Sequence, residues 1–304
     1  MRPKTVQNRS RQPAEQQFMP SVLPADFPIA MGRRHSPSTE PITGLHLHDC
    51  LELGYCHQGA GIFVVEDKVL PFASGDVSVI NDREMHRAQS APDTGSSWSF
   101  VMLDPAKLLS AASDDREALR IAPLGGPGFP NIVKPGAHPE LVGAVRQLVA
   151  ELEAAGGGAR PGHRTVVRGL VLAAMGLLQR LPGAEPDATP RERAGPAEAI
   201  APALEHLSRT YAEPVGMAEL AELCATSESN LRRMFHRATG RSPRDYLTYL
   251  RLQMATTLLE STSLRVLDVA GRVGYPTLSS FNRHFQRVMK CSPRQWRGRR
   301  RPPA

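Results

Sequence analysis

Apolar and polar positions change rhythm twice along the chain. From about residue 21 to 104 they come in short runs, LELGYCH (51–57), GIFVVED (61–67), DVSVIN (76–81) and SWSFVML (97–103), broken by Gly, Pro and Asp. Runs of this kind at regular spacing predict strands of a small antiparallel barrel or sandwich. The first 20 residues carry no period and predict a mobile, disordered tail. Residues 104–134, dense in Gly and Pro around LGGPGFP, predict no clear element. From residue 138 the period becomes helical. Leu141, Val145, Leu148 and Leu152 share one stripe of a helix over 138–155, and a second helix over 163–181 is apolar on more than one side, so it needs a covering surface. GGGARPG turns between them and makes a hairpin. PGAEPDATPRERAGP (182–196) is proline-rich, charged and poor in large apolar residues, which predicts an interdomain linker.

Beyond the linker the pattern is helical almost throughout. GMAELAELCATSESNLRRMFHRATGRSP (216–243) has the form helix, tight turn, helix. Leu220, Leu223, Leu231 and Phe235 anchor it, Ala221 marks a close crossing, Ser227 caps the second helix, and Gly240 followed by Pro243 ends it. The plan returns in LRVLDVAGRVGYPTLSSFNRHFQRVMKCSP (264–293), with Val269 and Ala270 in the first helix, Gly274 in the turn, Thr277 as cap, and Phe281 and Phe285 as anchors. RDYLTYLRLQMATTLLES (244–261) joins the copies as one long helix, with Tyr246, Leu250, Met254 and Leu258 at core spacing. One such hairpin is a modest signal; two on a common helix are far more specific. The polar faces of the second helices carry Ser229, Arg232, Arg233 and His236, then Leu278, Ser279, Asn282 and Arg283. Arginine can hold guanine O6 and N7 through two hydrogen bonds, and hydroxyl or small apolar side chains suit other base edges. Two such helices on one rod can enter successive major-groove faces about 34 Å apart.

Composition sharpens this picture. Of 304 residues, 41% are hydrophobic and 22% charged, as in globular domains. The longest apolar run, Leu170 to Leu178, is too short to cross a bilayer, and MRPKTVQNRSRQPAEQQ carries no secretory signal. Four cysteines without C-x-x-C spacing argue against a disulfide framework, so a reduced cytoplasmic location is expected. The net charge of +7 is lopsided: residues 196–304 hold 17 Arg/Lys against 9 Asp/Glu, while the remainder is close to neutral. A localised surplus points to phosphate binding, although a solvated face gives the same count.

Residues 197–297 resemble the DNA-binding domain of the AraC/XylS family of transcription regulators. The resemblance rests on Pro214, Leu220-Ala221, Ser227, Leu231, Phe235, Gly240, Ser242-Pro243, Tyr246, Leu250-Arg251, Ala255 and Leu258-Leu259. It continues through Ala270, Val273-Gly274-Tyr275, Ser279, Phe281, Arg283, Phe285, Ser292-Pro293 and Arg297. It implies double-stranded promoter DNA as partner, base reading by Ser229, Arg232 and Arg233 and by Leu278, Ser279 and Arg283, and contacts with RNA polymerase by a homodimeric activator or repressor. For Arg233 and Arg283 base contact is favoured over phosphate contact; Arg232 is even, and Leu278 suits only a thymine methyl. The tail WRGRRRPPA adds backbone attraction blind to sequence. Three positions depart from the family pattern: Ala225 stands for a turn glycine, Tyr275 for Phe, and Cys291 for the glycine before Ser-Pro, where a left-handed backbone would cost about 1 kcal/mol.

HLHDCLELGYCHQG (46–59) resembles the first cupin motif, H-x-H-x3-E-x6-G, and Gly75 with His86 resembles the second, with Asn81 and Arg83 where enzymatic cupins favour Pro and Gly. Along an extended strand His46, His48, Glu52 and Cys50 share a face, which must be the interior if the other face is solvated. The resemblance, over about residues 25–104, is to the sensor domain ahead of many AraC-type DNA-binding domains. It implies a small polar effector, a sugar being the commonest theme and aromatic acids remaining open. His46, His48, Glu52 and His86 also form a competent set for a divalent Fe, Mn, Zn or Ni ion, while the same side chains can hydrogen-bond an effector without metal. Trp98 either stacks on that effector or fills the core. Arg33, Arg34 and His35 read first as surface charge and second as an arm closing over a ligand.

The expected architecture is α+β and multidomain. A disordered tail (1–20) precedes an antiparallel β cupin-like barrel (21–134), and a helical hairpin that dimerises follows (135–182). A linker (183–196) leads to an all-α domain with two helix-turn-helix motifs (197–298), then a basic tail (299–304). The function expected is ligand-responsive transcription regulation with no catalysis. The alternatives are a metal-dependent cupin enzyme, which would leave the last hundred residues idle, and a DNA-binding regulator whose cupin is a ligand-free scaffold.

Overall fold

The computed structural model describes residues 17–18, 22–32, 46–66, 68–82, 84–91, 95–110, 119–121, 124–126, 128–156, 158–182 and 199–298. Arg33, Arg34, His35, Arg83, the linker 183–196 and the basic tail 299–304 lie outside these residues. Among them the strands are β1 (Gln17–Phe18), β2 (Ile29–Met31), β3 (His46–Leu47), β4 (Leu51–Val65), β5 (Lys68–Ala73), β6 (Val77–Ile80), β7 (His86–Ser90), β8 (Ser96–Leu103) and β9 (Ile132–Val133). The end of the expected structureless tail is therefore ordered: β1 runs parallel to β3, Gln17 opposite His46.

β4 organises the sensor half. LELGYCH and GIFVVED, which read as two runs, belong to this one strand of 15 residues. The register shifts between Cys56 and Gln58, and Gly59 takes a φ of 85°; a Cβ there would lie 1.9 Å from the Gly95 carbonyl oxygen. The residue the register skips is His57, and a glycine that looks like a turn in sequence is here paired inside the strand, opposite Ser96, two residues beyond that bulge. The first half of β4 pairs with β6 and β8, the second half with β5 and β7. β5 escapes sequence reading because Pro71 sits in it; pairing on one side only, it is an edge strand, where proline is tolerated. The pairings among described residues do not close into a ring, so the expected barrel is an open sandwich of two sheets sharing β4.

The alternation of β4 gives each face a different partner. Leu51 and Leu53, with Val77, Val79, Val101 and Leu103, form an apolar layer under the helical hairpin. Full burial of each such side chain contributes about 1.5–3 kcal/mol. Beyond the bulge Phe63 and Val65 join Cys56, Phe72, Ile80 and Trp98 between the sheets, while Ile62 and Val64 face the C-terminal helices. Neither outer face at β4 is solvated, as the parity argument had assumed; helices cover both.

Those helices are α1 (Pro105–Leu108), α2 (Pro139–Ala155) and α3 (His163–Leu178), then α4 (Ala201–Thr210), α5 (Met217–Leu223), α6 (Glu228–Thr239), α7 (Pro243–Ser261), α8 (Val266–Arg272), α9 (Leu278–Met289) and α10 (Pro293–Gly298). In the hairpin Leu141, Val145 and Leu148 of α2 and Val167, Val171, Met175 and Leu178 of α3 are buried on the sheet; Leu152 is only partly covered. Tyr246, Leu250, Met254 and Leu258 of α7 are all 0% exposed. Packed around them are Leu220, Leu231 and Phe235 of the first hairpin and Val269, Ala270, Phe281 and Phe285 of the second. Ser227 and Thr277 cap α6 and α9 as expected, their hydroxyls accepting the amides of Asn230 and Ser280.

Candidate functional site

The two recognition helices show the same division of faces. In α6, Leu231 and Phe235 point into the core, whereas Ser229, Arg232, Arg233 and His236 are exposed. In α9, Phe281 and Phe285 are buried, and Ser279, Asn282 and Arg283 are exposed. Leu278 differs from the expectation for a base-reading residue: it is half-buried and packs on the core. Arg232 is held by Glu228 one turn earlier (3.2 Å), and Arg233 donates to the Asn230 side chain (2.7 Å), so both guanidiniums are oriented along the helix surface. Asn230 and Glu228 are positioning partners the sequence reading did not name; their (i, i+3) and (i, i+4) spacing is the signal that could have found them.

The two arginines of the family pattern outside the recognition helices do structural work. Arg251 donates to the carbonyls of Tyr211 (2.6 Å) and Glu213 (2.9 Å), and Arg297 to those of Leu264 (2.6 Å) and Leu259 (3.2 Å). Each guanidinium satisfies chain ends that would otherwise be orphaned, fixing both hairpins to α7.

Between the sheets the four motif residues come together. His46 of β3 lies opposite His86 of β7. His48 sits in the short segment before β4, and Glu52 is the second residue of that strand. Ring centroids are 5.0 Å apart for His46–His48, 4.3 Å for His46–His86 and 5.3 Å for His48–His86. Glu52 reaches two of them, Oε2 lying 3.3 Å from His48 Nε2 and Oε1 3.6 Å from His86 Nε2. Burial drives the His86 pKa down, against the pull of Glu52. Burial pushes the Glu52 carboxyl up, but His86, His48 and His46 outweigh it and hold it below its ordinary value.

The turn that delivers His86 accounts for Asn81, one of the two departures from the enzymatic cupin pattern. Asn81 donates its backbone amide to Glu84 Oε2 (2.9 Å) and its side-chain amide to the Ile121 carbonyl (2.7 Å), and Asn131 donates to the same Glu84 oxygen (3.0 Å). Polar side chains thus brace a turn that Pro and Gly would otherwise shape. Phe63 stacks on the His86 ring at 6.2 Å. Trp98 belongs to an aromatic cluster with Phe63, Phe72 and Phe100, stacked on Phe100 at 5.5 Å. It fills the core, yet its indole N–H has no hydrogen-bond partner. Ser78 Oγ, Glu52 Oε1 and His86 Nε2 are likewise buried and unpartnered. Ser78 went unnoticed in the sequence, although its alternation with Val77 and Val79 in DVSVIN puts it on the interior face. Cys56 is inert, its thiol pushed up to about 12 by burial and Asp76.

The donor set fits a metal ion. One nitrogen from each of His46, His48 and His86 lies within 4.8 Å of the others, beside an ionised carboxylate, which suits borderline divalent ions. The interior polar atoms suit a small polar molecule equally.

Comparison with known proteins agrees with both halves. Residues 33–171 match the AraC-like ligand binding domain, and residues 220–299 a helix-turn-helix domain family. The HTH-type transcriptional activator RhaR of Mannheimia succiniciproducens is 23% identical over 90% of this chain and 93% of its own. The protein of the same name from Enterobacter sp. is 27% identical over 85% and 88%. Among solved structures, the DNA-binding domain of AdpA in complex with a target DNA is 34% identical over 36% of this chain and 97% of its own, with a TM-score of 0.31. No helix among the described residues is long and apolar enough to cross a membrane. With a ligand-binding domain ahead of two helix-turn-helix units, the chain belongs to the AraC family of DNA-binding transcription regulators.

Proposed function

We propose that this regulator binds promoter DNA through α6 and α9 at two successive major-groove faces, and that a small polar effector held between the sheets alters that binding. The observation that carries it is the pair of recognition helices, each with an apolar face locked to α7 and an exposed polar face. Arg233 and Arg283 are the principal base contacts, Ser229, Ser279 and Asn282 supply secondary ones, and Arg232, tied to Glu228, leans toward phosphate. Leu278 covers an apolar base edge at most. The effector meets His46, His48, Glu52 and His86, with Trp98 closing the pocket through its free N–H. A sugar is the first candidate. Two chains associate through the outward side of α3, where Val166 is 46% exposed beside partly covered Leu170 and Leu177. The RhaR relatives are named activators, and activation through RNA polymerase is proposed here also.

Selection of genomic fragments by the purified chain tests this. A shared pair of half-sites about one helical turn apart, with affinity falling steeply as salt rises, is the expected result. Equal affinity for all fragments would refute it.

A further inference from the structure

The two helix-turn-helix units repeat one set of contacts at nearly equal distances. α6 and α9 each run for 12 residues, and each ends on a left-handed C-cap, Gly240 at φ 66° and Lys290 at φ 58°. The hydroxyls of Ser227 and Thr277 accept the amides of Asn230 and Ser280 at 3.3 and 3.2 Å. At the start of the next helix, those of Ser242 and Ser292 accept the amides of Asp245 and Gln295, both at 3.2 Å. Phe235 meets the Tyr246 ring edge-on at 5.9 Å, and Phe285 meets Trp296 in the same way at 6.0 Å. With the frame held in common, any difference in what the units read must come from their outward side chains.

Those side chains fall into two stripes, each with the four-residue spacing of neighbours on one helix face. Ser229, Arg233 and Arg237 of α6 return unchanged in α9 as Ser279, Arg283 and Arg287, all exposed. Beside them, Glu228, Arg232 and His236 become Leu278, Asn282 and Gln286. Packing does not demand this second set of differences, because Arg232, His236, Asn282 and Gln286 are exposed. In α6 the Glu228 carboxylate holds Arg232 at 3.2 Å, whereas α9 contains no carboxylate. Arginine offers donors only, and histidine carries donor and acceptor on separate ring nitrogens. A primary amide sets a donor beside an acceptor, which matches the N7 acceptor and N6 donor that adenine shows in the major groove.

We propose that Asn282 and Gln286 read adenine, so that the two half-sites share the base pairs met by the common stripe and differ beside them. The A·T pairs belong to the half-site of α9 alone. This rests on the reading of α6 and α9 as recognition helices. The two amides lie about 6 Å apart along the helix, so each meets its own base pair. Each unit thereby has its own half-site, and the order of the two along the operator is fixed.

The test uses the purified full chain and duplexes carrying the site it selects. Competition binding against every single-base variant is measured for the parent and for the Asn282→Ala, Gln286→Ala double variant, with melting curves as the check on folding. The parent is expected to prefer A·T at pairs of one half-site by roughly ten- to a hundredfold. The double variant should lose that preference and keep those of the other half-site. A second variant, Glu228→Leu with Arg232→Asn and His236→Gln, carries the α9 stripe into α6. It should bring an A·T preference to the corresponding pairs of the other half-site. A double variant that weakens every duplex equally would make these amides backbone contacts and overturn the proposal. So would an A·T preference that survives the double change, or a folded transplant that leaves the other half-site read as before. A selected site with no A·T preference overturns this inference alone; a parent that selects no site sinks the recognition-helix reading beneath it.

Discussion

Ala225 and Lys290 hold φ values of 48° and 58°, a region that costs a residue with a Cβ about 1–2 kcal/mol. Each sits where a helix of a recognition unit ends, Ala225 after α5 and Lys290 as the C-cap of α9, the position Gly240 fills in the first copy. Replacing either with glycine is expected to raise stability by about 0.5–1 kcal/mol, the relief of strain outweighing glycine's extra chain entropy; urea unfolding of each variant checks this. The sequence placed the second strain at Cys291, counting back from Ser-Pro. The backbone puts it one residue earlier, because Cys291 corresponds to Arg241 and not to Gly240. Cys291→Gly should therefore bring no gain. Gly274 marks the opposite limit: at φ 82°, a Cβ would lie 2.5 Å from the Ala212 carbonyl oxygen. Gly274→Ala is expected to cost more than about 2 kcal/mol and to disable DNA binding with it.

At the level of elements, the helical half was largely legible and the β half only in part. Caps, anchors and the 3.6-residue period of α6, α7 and α9 are local signals, so residues 216–293 fold as their spacing predicts. β4 was divided wrongly because Gly59 is a turn signal in sequence and a paired strand residue in space, and only pairing with β8 on both sides of the bulge at His57 distinguishes them. His46, His48 and Glu52 of the interior cluster were readable from parity, His86 from its motif spacing and Ser78 from alternation, whereas Glu84 and Phe63 depend on which strands lie opposite. The caps also make a prediction. Ser227→Ala and Thr277→Ala each remove the acceptor for a first-turn amide, so each should destabilise its helix by about 1 kcal/mol. Arg233→Ala and Arg283→Ala should leave the melting curve unchanged yet weaken selected sites by about 1–3 kcal/mol, with relaxed preference at one base pair. Competition binding on single-base variants of the selected site separates the two classes; equal loss at all sites would make these arginines phosphate contacts.

Across the whole molecule, sensor and DNA-binding halves share a core. Ile62, Val64, Val69 and Met85 of the sheets pack with Ile200, Leu204 and Leu207 and with the residues of α7, and Thr257 donates to the Gly61 carbonyl at 3.0 Å. Arg87 lies in this seam, 0% exposed, its Nη1 3.4 Å from Ser208 Oγ while Nε and Nη2 have no partner. Burial lowers its pKa to about 10, and Glu205 only partly offsets that. Strand alternation puts Arg87 and His86 on opposite faces of β7, so one strand carries a member of the interior histidine cluster on one side and a half-satisfied charge against the DNA-binding half on the other. A ligand that moves β7 changes the setting of Arg87 directly, which is the differential contact an allosteric link requires. A half-satisfied buried guanidinium destabilises the docked arrangement relative to an apolar chain of similar length. Arg87→Met is therefore expected to raise the thermal midpoint by a few degrees, corresponding to about 1–2 kcal/mol, and to reduce the effect of any pocket ligand on DNA affinity. Val64→Asp should do the reverse, burying an unpaired carboxylate and splitting one calorimetric transition into two as the halves part. An Arg87→Met chain that melts lower than the parent, or a Val64→Asp chain that still unfolds in one step, would show that the seam does not couple the two domains.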